Sequence, residues 1–297
     1  KEKQWASKKS ANAWRDCVQA FTLSRRAQSI TGIDDVDVDR AKAHSEKIGA
    51  KAASSLAELG KASDIVVCML PTGAIVRKVM ETGLADALAP GSMVIDMSSS
   101  VPTGSRELHA YLAGKDIRFV DAPVSGAVPR ATNATLAIMV GAENDTDFQR
   151  AEPVLLCMGD RIFRTGGIGT GHAMKALNNY TAAAGFAAAS EALILGKKFG
   201  LDPETALEIM NVSTGRNFST ESTIGQNVLS GTFKSGFGLA LLTKEVKIAA
   251  ELSKELDANL PLVAQTIAWW ERALEELGGE KDHTQAYEVW AKVAEGQ

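Results

Sequence analysis

Lys175 and Asn179 lie four residues apart, and on a helix that spacing returns a side chain to the same face one turn later. A lysine and an amide side by side near a helix start can serve as a proton carrier and its positioner. Alone, such a pair is more often a solvated lysine beside a capping asparagine. Here it sits in Gly169-Thr-Gly-His-Ala-Met-Lys-Ala-Leu-Asn-Asn179, opened by two glycines and followed by an Ala-rich helical pattern to about Lys198. Two further segments accompany it. Asp121-Ala-Pro-Val-Ser-Gly126 lies upstream, and Lys244 stands downstream in Leu239-Ala-Leu-Leu-Thr-Lys-Glu-Val-Lys-Ile248.

The chemistry open to such a pair is proton transfer, and one reaction that would use it is the oxidation of an alcohol by hydride transfer. That reaction needs a base for the hydroxyl proton and a fixed donor–acceptor geometry. Lysine serves as the base if burial or a neighbouring positive charge lowers its pKa towards neutrality, and a general base contributes about 10²–10⁴ in rate. Lys244 is a candidate neighbour and a candidate contact for bound anions. Exposed N–H groups of a Ser-Gly turn, as at Ser125-Gly126, form an anion nest.

The elements that would position these groups fall into two regions. From Asp35 to about Phe163, short apolar strands (Ile65–Leu70, Ser92–Met97, Ile117–Ala122 and Leu136–Val140) alternate with helical stretches such as Ala74–Leu88 and Thr103–Leu112. Unbroken apolar strands separated by helices predict a mostly parallel sheet covered on both faces. Ligands of such sheets sit beyond the carboxyl ends of the strands. Leu70-Pro71, Met97-Ser98 and Ala122-Pro123 are three such ends, so Leu70, Pro71 and Ser98 become candidates for cofactor contact. After Gly166-Gly167 the pattern is helical throughout: Met174–Phe199, Pro203–Met210, Leu241–Leu256, Leu262–Leu277 and Thr284–Val293. The expected architecture is α/β, a Rossmann-like mostly parallel sheet domain over residues 1–165, followed by an all-helical domain over residues 166–297.

Composition excludes several classes. The 297 residues are 45% apolar and 23% charged, as in a globular protein with a sizeable core. A net charge of −4 leaves no electrostatic footprint for nucleic acid or anionic membrane. Cys17, Cys68 and Cys157 are far apart and odd in number, and the four histidines have no ligand spacing, so neither a disulfide framework nor a metal centre is expected. No segment reads as a signal peptide or a membrane span, and a cytoplasmic location is expected.

Taken in order, the three segments resemble the β-hydroxyacid dehydrogenases, the family of 3-hydroxyisobutyrate dehydrogenase and tartronate semialdehyde reductase, over about Asp35 to Trp290. The resemblance implies that Lys175 is the acid/base residue and that Asn179 orients it and the substrate. It implies that the loop Val124-Ser125-Gly126 holds the substrate carboxylate, with Ala127 where the family usually has a second glycine. Lys244 would close the site from the helical domain; the family commonly has Lys-Asp where this chain has Lys244-Glu245. Asn211-Val-Ser-Thr-Gly-Arg-Asn217 resembles a segment that borders the site, with Arg216 more plausibly solvated than bound to a carboxylate. His283 is expected to cap a late helix. The implied substrates are small 3-hydroxy acids such as 3-hydroxyisobutyrate, glycerate/tartronate semialdehyde or threonate-like sugar acids, and a homodimer or homotetramer is expected. Decarboxylating 6-phosphogluconate dehydrogenases share the motif logic but have a longer helical domain, and imine reductases usually lack the lysine.

The N-terminus departs from this pattern. Such a chain should open with a strand and a Gly-x-Gly-x-x-Gly turn that cradles the cofactor pyrophosphate, yet residues 1–31 contain no glycine. The first strand, central to such sheets, and the phosphate loop are therefore expected to be missing. This favours a second reading, a non-catalytic family-derived protein that has lost dinucleotide binding, which the retained Lys175, Asn179, Ser125 and Lys244 oppose. Farther on, Asp34 or Asp35 ends the second strand. A carboxylate there favours the ribose of NAD over the 2′-phosphate of NADP, and no arginine follows immediately, Arg40 being on the next helix. Shifting the codons of residues 1–30 by one base turns Trp5-Ala6 into a reading that contains glycine. We read the segment as a frame-displaced phosphate loop, the alternatives being a divergent or a truncated N-terminus. Resequencing the encoding DNA tests this: an intact alternative frame without a family-like pattern would remove the idea.

Overall fold

The computed structural model describes residues 20–24, 29–35 and 37–296; the expected loss of the phosphate loop falls largely on residues 1–19, outside them. The chain forms two compact units, Lys1–Lys175 and Ala176–Gln297.

The first unit is built on a sheet of strands β1 (Ala20–Ser24), β2 (Ser29–Asp34), β3 (Lys51–Ala52), β4 (Ile65–Cys68), β5 (Met93–Asp96), β6 (Arg118–Asp121), β7 (Val124–Ser125), β8 (Ala137–Ala142) and β9 (Arg161–Gly166). Their order is β3-β2-β1-β4-β5-β6-β8-β7, with β9 paired to β8. β4, β5 and β6 are parallel neighbours. They are buried on both sides, so alternate residues feed two cores. Ile65, Val67, Met93, Ile95 and Val120 join one. Val66, Cys68, Val94 and Phe119 join the other, with Leu84, Leu108 and Leu112 from the covering helices.

A strand does occupy the central position, contrary to the expectation that it is missing. β1 runs antiparallel to both β2 and β4. Its backbone satisfies the N–H and C=O groups that β2 and β4 would otherwise leave unpaired in the middle of the sheet. Because of its direction, it is the start of β1, Ala20, that stands beside Asp34 and Cys68. A second departure lies at β8, antiparallel to β6 and β7. Only a short helix, Ala127–Thr132, separates β7 from β8, too little chain for a parallel crossover.

Register aligns the strand ends. Asp34 pairs with Ala20, Ala20 with Cys68, Cys68 with Asp96 and Asp96 with Asp121. The residues that follow this row therefore emerge along one edge of the sheet, which is where ligands of such sheets bind. Helix α1 (Val38–Ile48) follows β2, with the Asp37 side chain accepting the Arg40 N–H at its start. Helix α2 (Pro102–Ala113) follows β5.

The long helix α3 (Thr170–Phe199) begins after β9 and continues into the second unit. That unit is helical, with Pro203–Asn211, a π-helical stretch Thr220–Leu229, α4 (Leu239–Glu255), Pro261–Leu277 and Ala286–Ala294. Its core is aromatic: the Trp270 and Trp290 rings meet edge to face at 5.2 Å, and Phe186 lies 5.8 Å from Trp270. His283 packs against Phe186 at 5.4 Å. The cap of this segment is Asp282, whose Oδ1 accepts the Thr284 N–H at 3.0 Å, so the capping role expected of His283 belongs to its neighbour. No helix among the described residues is long and apolar enough to cross a membrane.

Candidate active site

The first unit places several of the sequence-derived candidates along the aligned edge. Asp35 follows β2 directly. Its carboxylate is buried and accepts the Asp37 N–H at 2.8 Å through Oδ1. Oδ2 accepts no hydrogen bond among the described residues, although Arg40 Nη1 lies 3.7 Å away. A buried acceptor with an unused lone pair suits a ribose hydroxyl, so the residues present fit a dinucleotide here. Arg40 is on the next helix, as the sequence suggested, and was read as not following Asp35 closely enough to act beside it. In the first turn of α1 it instead reaches back to Asp35.

Leu70 and Ser98 are brought together: the Leu70 N–H donates to Ser98 Oγ at 2.8 Å. Ser98 is buried, and its own N–H donates to Asp96 Oδ1 at 3.0 Å. Its hydroxyl thus ties two strand exits together, and Pro71 is exposed beside it. The Cys68 thiol, fully buried, is pushed well up by burial and by the Asp96 charge, which makes it inert.

Ser125 lies in β7, opposite Ala137 of β8, at the turn that follows β6. Gly126 has φ 139°, a region natural only to glycine, and a Cβ there would stand 2.6 Å from the Arg130 side chain. Ala127 adopts φ 52°. This is the left-handed region that a second glycine would enter freely, and alanine occupies it at about 1–2 kcal/mol. The alanine is therefore held in a glycine-like backbone shape, with its methyl added at the exposed surface of the turn.

Sequence reasoning missed the group that joins these pieces. Asp121, at the end of β6, is fully buried. Its Oδ1 accepts the Gly169 N–H at 2.7 Å and its Oδ2 the His172 N–H at 3.0 Å. The first N–H groups of a helix have no partner within it, and here a carboxylate from a strand supplies one. The dipole of α3 adds to the attraction. The second glycine of the opening follows in part from this, because a Cβ at Gly171 would stand 2.8 Å from Asp121 Oδ2 and against the Met139 carbonyl oxygen, while Gly169 is required by its φ of 87° and by the Pro102 carbonyl oxygen. A signal was present in the sequence: β5 and β6 both end in aspartate at the apolar strand's carboxyl edge. Lys175 lies one turn beyond this anchor and is half-buried.

In the second unit, Asn179 is buried, and its Nδ2 donates to Glu245 Oε2 at 3.3 Å. Its Oδ1 accepts from Asn178 Nδ2 at 3.3 Å. Glu245 is 2% exposed and its Oε1 is 3.2 Å from Lys244 Nζ. Asn179, Glu245 and Lys244 thus form one cluster, and the residue read as a minor departure, Glu245, is its centre. Arg216 is solvated, 3.6 Å from Glu221 with both side chains more than half exposed.

Comparison with known proteins gives the class. Residues 20–167 match the NAD binding domain of 6-phosphogluconate dehydrogenase. Residues 169–290 match the NAD-binding domain of NADP-dependent 3-hydroxyisobutyrate dehydrogenase. The chain is 36% identical to 2-(hydroxymethyl)glutarate dehydrogenase of Eubacterium barkeri, over 82% of each chain. It is 33% identical to the mitochondrial 3-hydroxyisobutyrate dehydrogenase of Drosophila melanogaster, over 82% of this chain and 77% of that one. NAD-dependent L-serine dehydrogenase of Pseudomonas aeruginosa is 30% identical, over 79% of this chain and 81% of that one. A solved structure of Mycobacterium tuberculosis 3-hydroxyisobutyrate dehydrogenase with L-serine superposes with a TM-score of 0.83 at 27% identity, covering 96% of each chain. The chain belongs to the β-hydroxyacid dehydrogenase family. It is an NAD(P)-dependent oxidoreductase acting on a hydroxy acid, and nothing in these relatives favours a non-catalytic reading.

Burial pushes the Asp121 carboxyl above its ordinary value, against the pull of His172 and of the two N–H donors. An acid whose folded pKa is raised contributes stability that is fully present below its unfolded pKa and is lost as pH rises through the folded one. Asp121→Asn keeps one acceptor, loses the other and does not titrate. It should be less stable by about 1–3 kcal/mol near pH 4, with the gap to wild type narrowing towards pH 7. Urea unfolding at several pH values measures this, and a gap that widened with pH would contradict it.

Proposed function

We propose that this protein oxidises a small 3-hydroxy acid at the carbinol carbon, with Lys175 as the acid/base residue. The observation that carries the reading is the anchoring of α3: Lys175 sits one turn past the Asp121 clamp, and Asn179, four residues on, has its amide held by Glu245. In the oxidative direction Lys175, deprotonated, takes the hydroxyl proton, and in the reverse direction it returns it. Asn179 orients that lysine and the substrate oxygen. Ser125, Gly126 and Ala127 receive the substrate carboxylate through the Ser125 hydroxyl and backbone N–H groups, and Lys244 contributes positive charge. NAD(P), when bound, accepts or supplies the hydride.

The named relatives act on acids with a common core. 3-Hydroxyisobutyrate, 2-(hydroxymethyl)glutarate and L-serine are all 3-hydroxypropanoates that differ in the substituent on C2. The substrate class proposed is therefore a 2-substituted 3-hydroxypropanoate, glycerate included. Asp35 holds the adenosine ribose, with Leu70, Pro71 and Ser98 shaping the cofactor side of the edge. The unused Oδ2 supports NAD as the preferred cofactor, while Arg40 beside it leaves NADP accessible.

The proposal also divides the chain into a dinucleotide-binding domain, 1–165, and a helical substrate and oligomerisation domain, 166–297. Leu195 and Phe199, four apart on α3, are 70% and 87% exposed. Burying such a face is a reason for a homodimer or homotetramer. A cytoplasmic location accords with the free, buried thiol of Cys68.

Lys175→Ala is expected to lower kcat for 3-hydroxyisobutyrate or L-serine oxidation by about 10²–10⁴-fold, with NAD affinity unchanged by calorimetry; turnover near wild type would overturn the acid/base role. Asp35→Ala should weaken NAD about tenfold or more while NADP changes less. Equal loss for both cofactors, or none, would remove Asp35 from the ribose site.

A further inference from the structure

The His172 side chain is engaged on both ring nitrogens and has no part in the reading above. It is 1% exposed. Its Nε2 lies 3.0 Å from the Ser98 carbonyl oxygen and its Nδ1 lies 2.8 Å from Ser105 Oγ. Two buried carboxylates flank the ring at 3.8 Å each, Asp96 Oδ2 on the Nε2 side and Asp121 Oδ2 on the Nδ1 side. The ring therefore joins the exit of β5, the end of β6 and helix α2 to the first turn of α3.

Because a carbonyl only accepts, Nε2 carries a proton. Nδ1 is satisfied in either state of the ring. It accepts the Ser105 hydroxyl proton when neutral. When charged it donates to Ser105 Oγ, whose own proton then turns to the Val101 carbonyl 3.3 Å away. The contact with Ser98 thus persists through both states.

Lys175 follows three residues later, on the adjacent turn of the same face. Ser98 is the residue whose hydroxyl holds the Leu70 N–H, and Asp121 leads within four residues to Ser125. We propose that His172 is a positioning residue: it fixes the helix turn that carries Lys175 to the strand exits that hold the cofactor and the substrate carboxylate. The Asp121 clamp sets the start of α3 through two backbone N–H groups and ties it to one strand, β6. The ring, reaching to the exit of β5 and to α2, ties the same turn to two further elements. Displacing a reacting group by about 1 Å costs on the order of 10² in rate.

This inference rests on the role given to Lys175, so Lys175→Ala is measured beside the His172 variants in the full chain. His172→Leu removes both ring contacts. It is expected to lower kcat about 30- to 100-fold, with KM for the hydroxy acid and the dissociation constant of NAD within about threefold of wild type. His172→Gln offers an amide N–H where Nε2 stands and should recover kcat to within about threefold. A general loss of structure would instead move KM and NAD affinity together, and glutamine would not restore turnover. The inference is overturned if His172→Leu keeps more than a third of wild-type kcat, or if His172→Gln is no faster than His172→Leu. Should His172→Leu not fold, Ser105→Ala decides: a kcat lowered threefold or more at unchanged KM supports the positioning role, and an unchanged kcat removes it. If Lys175→Ala turns over normally, the acid/base reading fails and this inference with it. If Lys175→Ala is inactive while His172→Leu is active, only the inference fails.

Discussion

A buried carboxylate against the start of a long helix is the constraint on which the first unit depends. Asp121 has no exposure, and an ionised carboxylate so placed is tolerable only if donors replace the water it lost. The Gly169 and His172 N–H groups and the positive end of α3 supply that replacement. In return, the first turn of the helix acquires acceptors that its own backbone cannot provide. Strand and helix are thereby fixed to one another by a pair of hydrogen bonds rather than by apolar packing, which tolerates sliding. The glycine at 171 is a consequence, since a side chain there would occupy the carboxylate's place. So is the position of Lys175, whose height along α3 is counted from that anchor.

The same logic recurs in the second unit with a different carboxylate. Glu245, almost fully buried, is shared between the Asn179 amide and the Lys244 ammonium. An amide left to itself can present either its oxygen or its nitrogen. With Nδ2 committed to Glu245 and Oδ1 accepting from Asn178, the face it shows is decided. Glutamate rather than aspartate at this position adds a methylene of reach, which the buried contact to Asn179 uses.

Much of this was legible in the sequence, and what was not has a common cause. The runs at 65–70, 92–97 and 117–122 are β-branched and apolar, so their strands and the two-faced sheet follow from local pattern. Lys175 and Asn179 were found because helical spacing is itself local. Asp121 was in view as part of a motif, but its partners lie 48 and 51 residues away, and no periodicity encodes such a contact. His172 was hidden for the same reason, its partners being Ser98 and Ser105. The central strand was expected to be absent because its usual glycine turn is absent. The sheet nevertheless demands a paired backbone between β2 and β4, and Ala20–Ser24 supplies it in the opposite direction. Arg40 was assigned to the next helix correctly, yet α1 starts so soon after β2 that its first turn folds back on Asp35.

The register that lines up Asp34, Cys68, Asp96 and Asp121 along one edge has an electrostatic consequence. An edge bearing several carboxylates would repel a dinucleotide diphosphate and a carboxylate substrate alike. Two of them, however, are spent internally: Asp96 on the Ser98 N–H and the Ser100 hydroxyl, and Asp121 on the head of α3. Asp35, just beyond the row, is offset by the Asp37 N–H and by Arg40. Anionic ligands would therefore approach an edge whose buried carboxylates are turned inward onto local donors, with Arg40 as a countercharge beside Asp35.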